Sequence, residues 1–354
     1  MKSKVYPSLI YDTLRRATFN PQPTAFQKTL EESTVQVFNS FICDLTANEP
    51  TMWSIFLDTC YEDFDLCQEY LEQVYPRLHE QFAESLRAFI PTDHNKPYYE
   101  HPDTELQHDS PEWHALRHLF ITASIAKRVA NLTERGTKNF LRSNLWGIDK
   151  DENDYRAMKY GRENEPIARE CYVEQIQKDI PSAEMKLLGL CQSVRYPELA
   201  CSPDGVLKTT FITRAIEIKC PLRLEKIDPE LFDTFLKDEK LKDFYLYRDD
   251  SGRIKLKENH AYYFQVQMVM GVLGLDLCDL IVWSPRGMAI VPICFNPEFW
   301  NKLAADLVTF HHSLIIPEYF LQRTPRDLAP IRVELCYNLQ SGMEERHVSS
   351  SCVA

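Results

Sequence analysis

The N-terminal residues place apolar side chains at helical spacing, as in Phe38, Phe41, Ile42 and Leu45, and again from Phe64 to Leu71. Residues 1–105 therefore predict a helical N-terminal region, and residues 91–111, rich in Pro, His, Asp and Tyr, read as a linker. Helical patterning resumes at Trp113, runs to about Asn131, and returns over residues 160–178. The texture then changes. Leu187–Arg195, Leu199–Leu207 and Phe211–Cys220 are short β-type runs with turn signals between them. Residues 223–260 are charged and predict a helix-and-loop insertion. Tyr262–Leu273 predicts a helix, Cys278–Ser284 and Met288–Phe295 predict strands, and Pro297–Ser313 predicts a closing helix. This order predicts a mixed α/β fold with a central sheet over residues 106–325. Residues 326–354 read as a peripheral tail, with disorder expected from Ser341 to Ala354.

Composition narrows the class. No apolar run approaches the roughly 20 residues of a membrane helix, and Met1-Lys2-Ser3-Lys4 opens no secretory signal. An intracellular protein of nucleus or cytoplasm, with no membrane partner, is the expectation. Eleven cysteines without a Cys-x-x-Cys pair offer no zinc or iron–sulfur spacing and read as reduced core residues. The net charge of −12 is unevenly spread. Residues 1–100 hold eight Lys and Arg against fifteen Asp and Glu. Residues 111–145 hold six (Arg117, Lys127, Arg128, Arg135, Lys138 and Arg142) against Glu112 and Glu134 alone. A basic stripe on an acidic body suits an enzyme that grips phosphate and then releases it, though a solvated helix face reads the same way.

The run Ala215-Ile216-Glu217-Ile218-Lys219-Cys220-Pro221 carries the most chemistry. Alternation along a strand sends Ile216, Ile218 and Cys220 into a core and Ala215, Glu217 and Lys219 to the other face. On its own, that acid and base could form an ion pair on a solvated face. Ser202-Pro203-Asp204-Gly205 changes this reading, because it sets a second carboxylate at a turn, with twelve residues between it and Glu217. If the flanking strands pair as a hairpin, Asp204 lies beside Glu217. Two adjacent carboxylates repel, and a hard divalent cation relieves them. Oxygen ligands favour Mg²⁺ or Mn²⁺ over zinc. Lys219 then stands where it can hold the attacking water or steady transition-state charge. His114 and His118, four apart, lack the Glu of a zinc-protease pair.

Three more segments accompany this dyad: Tyr160-Gly161-Arg162-Glu163-Asn164-Glu165-Pro166, Tyr262-Tyr263-Phe264-Gln265-Val266-Gln267, and Trp113 and Arg117 followed by Ile121-Thr122-Ala123-Ser124. In this order, over roughly residues 110–320, they resemble the YqaJ-type viral recombinases, the family of phage lambda exonuclease within the Pro-Asp-(Asp/Glu)-x-Lys nucleases. The resemblance implies a restriction-endonuclease-like core and an Mg²⁺- or Mn²⁺-dependent 5′→3′ exonuclease on duplex DNA with a 5′ end, used in recombination or DNA processing. It implies Asp204 and Glu217 as metal ligands with the Ile218 carbonyl, Lys219 as the catalytic lysine, and Glu165 as an assisting acid near the start of a helix. Arg117 and Ser124 match its 5′-phosphate pocket, with Thr122 and Trp113 beside them, and Gln265 and Gln267 an amide pair. On a continuous helix Trp113, Arg117 and Ser124 project within about 40° of one another; a helix starting afresh near Thr122 would itself favour an anion. A single-strand annealing protein and further copies of the chain are candidate partners. A structure-specific endonuclease on the same core and a catalytically inactive DNA-binding module are the alternatives.

Overall fold

The computed structural model describes residues 82–148, 155–225, 244–321 and 323–330. The expected helices at 38–45 and 64–71 and the tail from Ser341 lie outside the described residues.

Two sheets frame the site. The first holds β1 (Tyr98–Glu100), β2 (Ile121–Thr122), β4 (Cys191–Ser193) and β5 (Leu199–Cys201) in the order β1-β4-β5-β2. The second holds β3 (Glu184–Lys186), β6 (Gly205–Lys208), β7 (Thr213–Lys219), β10 (Leu277–Ser284) and β11 (Gly287–Cys294) in the order β11-β10-β7-β6-β3. The β6–β7 pair is antiparallel, whereas β7 and β10 run parallel. A parallel pair needs a long crossover, which here contains the helix Ala261–Leu273. This is the expected mixed α/β architecture, sheets flanked by helices.

Helices cover both faces of β7. On one side Ile216, Ile218 and Cys220 pack with Ala168 and Tyr172 of the 25-residue helix Tyr155–Asp179. On the other, Ala215 joins the larger core with Val266 and Val269 of Ala261–Leu273. The strand therefore alternates between two cores rather than between core and solvent, and Glu217 is 1% exposed. The solvated-face reading of Glu217 does not hold.

The chain changes sheets at Ser202-Pro203-Asp204. β5 ends at Cys201 in the first sheet and β6 starts at Gly205 in the second. Pro203 has no N–H to extend a ladder, so the single run expected over Leu199–Leu207 is two strands.

Other expectations also change. Residues 91–111 are no linker: β1 pairs with β4, and His101 and Thr104 are buried. Phe82 and Leu86 lie in the larger core, so the expected boundary at residue 105 falls inside packed structure. Trp113 to Asn131 is not one helix. It divides into α1 (Pro111–Leu116), a 3₁₀ turn, β2, a second 3₁₀ turn at Ala123–Ile125, and α2 (Ala126–Ala130). Burial of Ile121 explains the break, since its N–H finds the Glu198 carbonyl at 2.9 Å across the sheet. Within 223–260 the described residues form the end of a 3₁₀ turn (Leu222–Leu224) and a ribbon of β8 (Leu246–Arg248) and β9 (Ile254–Leu256), and the rest of the expected helix-and-loop insertion, residues 226–243, lies outside the described residues. The closing helix runs from Pro297 to Phe310, then passes through a π-helical turn, His311–Ile315. The remaining helices are labelled α3 (Glu134–Phe140), α4 (Tyr155–Asp179), α5 (Ala261–Leu273), α6 (Pro297–Phe310) and α7 (Ile316–Leu321).

Candidate active site

The hairpin β6–β7 brings the two acids of the sequence motif together. Its register pairs Gly205 with Ile216, so Asp204 and Glu217 are the next opposed positions. Ile218 lies beyond the last β6 partner, and its N–H donates to Asp204 Oδ2 at 2.5 Å. The carboxylate thus takes the place of a missing strand. Gly205 keeps this end open: a Cβ there would come within 2.6 Å of Met185 Sδ on β3.

Glu217 is shared among three elements. Its Oε1 accepts from Lys219 Nζ at 2.5 Å and from Gln265 Nε2 of α5 at 2.5 Å. Its Oε2 is buried without a hydrogen-bond partner. Lys219 Nζ also sits 4.7 Å from the Tyr262 ring centroid, close enough for a cation–π contact. From the opposite side Arg169 of α4 donates through Nη2 to Glu165 Oε1 at 2.5 Å and through Nε to the Asp204 carbonyl at 3.1 Å. Glu165 is mid-helix in α4, not near its start as expected, because the described helix already runs from Tyr155.

Crowding sets the electrostatics. Burial, then the neighbouring Asp204, pushes the Glu217 carboxyl up to about 8. The same two causes push Glu165 up to about 7. Burial also raises Asp204, against the pull of Lys219. For Lys219 burial acts downward, but Glu217 and Asp204 reverse it and hold the ammonium above its ordinary value. Three carboxylates thus face two cations, and one buried carboxylate oxygen remains unmet. That orphaned oxygen, in an all-oxygen donor set, fits a hard divalent cation. Among the described residues no three His, Cys, Asp or Glu side chains already surround a common point.

A second polar site lies across the Ser202-Pro203-Asp204 turn. Trp113 is buried and donates from Nε1 to Ser202 Oγ at 2.7 Å. Its ring carries the Arg117 guanidinium, 3.9 Å from the centroid. Arg117 Nη2 reaches Ser124 Oγ at 3.4 Å, and Thr122 Oγ1 stands 3.4 Å from the same hydroxyl. Thr122 precedes the 3₁₀ turn and α2, so the broken-helix geometry is the one observed. Arg117 and Thr122 also line a cavity of about 150 Å³ with His114, His118, Ser143 and Asn144. Among the described residues no acidic one lines it. Burial alone lowers Arg117, to about 10, which leaves it charged at neutral pH.

Some expectations do not reach either site. Gln267 is wholly buried; its Nε2 donates to the Cys294 carbonyl at 2.9 Å, and its Oε1 accepts from the Asn296 N–H at 2.8 Å. Residues two apart on a helix point about 200° apart, so Gln265 and Gln267 form no amide pair. The basic stripe is broken: Arg142 is buried and donates to the Thr324 carbonyl, and Lys138 pairs with Asp327. His114 and His118 bond the carbonyls of His108 and Asn144 instead of each other. Cys294 is exposed, unlike the core cysteines expected. Sequence reading missed Arg169, Ser202 and Gln107. Arg169, one helical turn beyond Glu165, was discoverable from i,i+4 spacing. Gln107, at φ +46°, holds the turn from outside by donating to the Leu188 and Pro203 carbonyls. Nothing in its neighbourhood of the sequence marks it.

Residues 112–276 match the family model of the YqaJ-like viral recombinase domain. No curated protein matches the chain. Among solved structures, the alkaline exonuclease LHK-Exo from Laribacter hongkongensis is 22% identical, with a TM-score of 0.41, over 62% of this chain and 94% of that one. The shutoff and exonuclease protein of Kaposi's sarcoma-associated herpesvirus is 14% identical, with a TM-score of 0.37, over 92% of each chain. A SOX–DNA complex is 12% identical, with a TM-score of 0.41, over 91% of this chain and 93% of that one.

Proposed function

With residues 112–276 forming a YqaJ-like viral recombinase domain, we propose that this chain is a divalent-metal-dependent deoxyribonuclease that digests duplex DNA from a 5′ end. The observation that carries the reading is Glu217 Oε2, a buried carboxylate oxygen without a partner beside Asp204 and Lys219. A buried polar atom without a partner is costly, and such atoms beside shifted carboxyls mark places where a ligand completes the bonding. The preference for a 5′ end rests on Arg117. It is a partly buried guanidinium stacked on Trp113, in a cleft without an acid, and a terminal phosphate matches its charge and donor geometry.

Asp204, Glu217 and the Ile218 carbonyl would hold Mg²⁺ or Mn²⁺, with Glu165 at their side. When bound, such a cation supplies Lewis acidity and lowers the pKa of water. The chain's own groups do the rest. Gln265 fixes the Glu217 carboxylate by its Oε1, and Oε2, which has no hydrogen-bond partner, would be the oxygen available to a cation. Lys219, held charged, orients the attacking water and offsets negative charge at the phosphorus. Near it, His260 lies in the field of Lys127, Lys257, Arg223 and Lys219, a cationic rim suited to the strand being cut.

The test is purified protein with Mg²⁺ and end-labelled linear duplex bearing a 5′-phosphate or 5′-hydroxyl, beside a covalently closed circle. Stepwise release of nucleotides from the phosphorylated linear duplex, with the circle intact, is expected. Cutting of the circle would make it an endonuclease, and no Mg²⁺-dependent cleavage at all would sink the enzyme reading.

A further inference from the structure

We infer that Arg169 is a positioning residue for the metal-binding acids, tying helix α4 to the turn that carries Asp204. The inference rests on the proposed metal role of Glu165, Asp204 and Glu217. Glu165 is the one acid of the three not on the hairpin, and it needs a device to bring it there. Arg169 follows it by one helical turn, so both side chains leave the same face of α4. The guanidinium is a rigid fork with donors along its edges. Nη2 holds Glu165 Oε1 at 2.5 Å and Nε holds the main-chain carbonyl of Asp204 at 3.1 Å. One planar group thus fixes the helix-borne carboxylate relative to the backbone that presents Asp204. The carbonyl contact matters most. A residue serving only to neutralise charge would spend its donors on carboxylates, whereas half of this fork binds an uncharged backbone atom. The Arg169 side chain is 19% exposed, so little solvent stands in for a lost contact.

Charge and position make opposite forecasts. Arg169 is a cation beside a cation site. If charge were its whole contribution, removing it would tighten metal binding. Arg169→Lys would then behave as wild type, since the charge is kept. If position is its contribution, both substitutions weaken binding, because neither Ala nor Lys can grip Glu165 and the Asp204 carbonyl with one rigid plane. Groups that orient metal ligands typically contribute about 10- to 100-fold in metal affinity.

The experiment is Mn²⁺ binding to the full chain, by calorimetry and by the electron paramagnetic resonance of free Mn²⁺. Wild type, Arg169→Lys, Arg169→Ala, Glu165→Gln and Glu165→Gln/Arg169→Lys are compared. Thermal unfolding in chelator separates loss of site from loss of fold, and Arg169→Lys is the variant relied on if Arg169→Ala fails to fold. About tenfold weaker Mn²⁺ binding by Arg169→Lys is expected. Little further loss is expected when it is added to Glu165→Gln, because the two act through one contact. Turnover should fall with little change in KM. Unchanged or tighter Mn²⁺ binding by Arg169→Lys overturns the inference, as does full additivity with Glu165→Gln. Absence of Mn²⁺ binding by the wild type would instead overturn the metal reading beneath it.

Discussion

The cluster around Glu217 and the cleft under Arg117 touch one three-residue turn at opposite ends, the first through Asp204 and the second through Ser202. What they lack is opposite. The first has more carboxylates than cations and an unmet oxygen. The second presents a guanidinium on an indole, with hydroxyls near and no acid lining its cavity. One wants a cation and the other an anion. Because one sheet ends at Cys201 and the next opens at Gly205, two sites of opposite need are held a fixed short chain apart. A metal ion and a terminal phosphate would satisfy both, and under the proposed function the turn would then set the distance between the end of a strand and the place where it is cut.

The comparison breaks hardest at the acid cluster. Asp204→Asn, Glu217→Gln and Lys219→Ala should each lower Mg²⁺-dependent hydrolysis by about a thousandfold or more, and their losses should not add, because the groups act as a unit. Stability should move the other way for Asp204→Asn. Neutralising one of three crowded carboxylates relieves repulsion, so the unfolding midpoint in chelator should stay level or rise. Substantial turnover by Lys219→Ala would remove it from the chemistry.

Arg117→Ala tests the other end. Losing a charge-assisted contact to phosphate costs roughly 1.5–3 kcal/mol, or about ten- to a hundredfold. It should slow digestion of 5′-phosphorylated duplex to the rate of the 5′-hydroxyl substrate, which itself should be little affected. Equal slowing of both would make Arg117 a general backbone contact. Thermal shifts sharpen the contrast: Mn²⁺ should raise the unfolding midpoint of Arg117→Ala but not of Asp204→Asn. Ca²⁺ should also stabilise the wild type without supporting turnover, since its longer bonds misplace the water.

The smallest expected effect is in pH. Glu165 and Glu217 are raised in the fold from 4.5 to about 7 and about 8, so the metal-free folded chain keeps protons that the unfolded chain has lost. Folded protein binding more protons means stability that falls as pH rises from 4.5 towards about 8. Mg²⁺ should abolish that fall and stabilise most at the alkaline end, where it no longer competes with protons. Arg117, lowered only to about 10, stays charged throughout, so phosphate-end selectivity should change over the same range only with the second ionisation of the terminal phosphate, near pH ~6. A metal-free midpoint that rises with pH in this window would contradict the crowding.

Much of this was legible before any coordinate. Period-two alternation gave β7 its two faces, and the turn residues Ser202 to Gly205 fixed where the hairpin would bring Asp204 to Glu217. The sequence could not say that the second face is covered by α5, because a buried polar face and a solvated one share the same pattern. Thr122 shows a second limit. Helical spacing of Trp113, Arg117 and Ser124 fitted an unbroken helix, and only tertiary pairing of Ile121 with Leu199 overrides it. Gln267 shows a third: an amide satisfied by backbone looks in sequence the same as an amide offered to ligand. Arg169 was within reach of helix geometry but carried no signal of its own.

Pro166 sits inside α4, next to Glu165. A proline in a helix interior forgoes one hydrogen bond and crowds the preceding turn, at about 3 kcal/mol. The chain therefore accepts a weak point in its longest described helix at the residue that follows Glu165, a proposed metal-site acid. For an engineer this is a warning about hardening the protein. Pro166→Ala is an obvious route to a higher melting temperature, yet it alters the backbone turn that spaces Glu165 from its partner Arg169. A sturdier scaffold and a slower enzyme would then come from the same substitution.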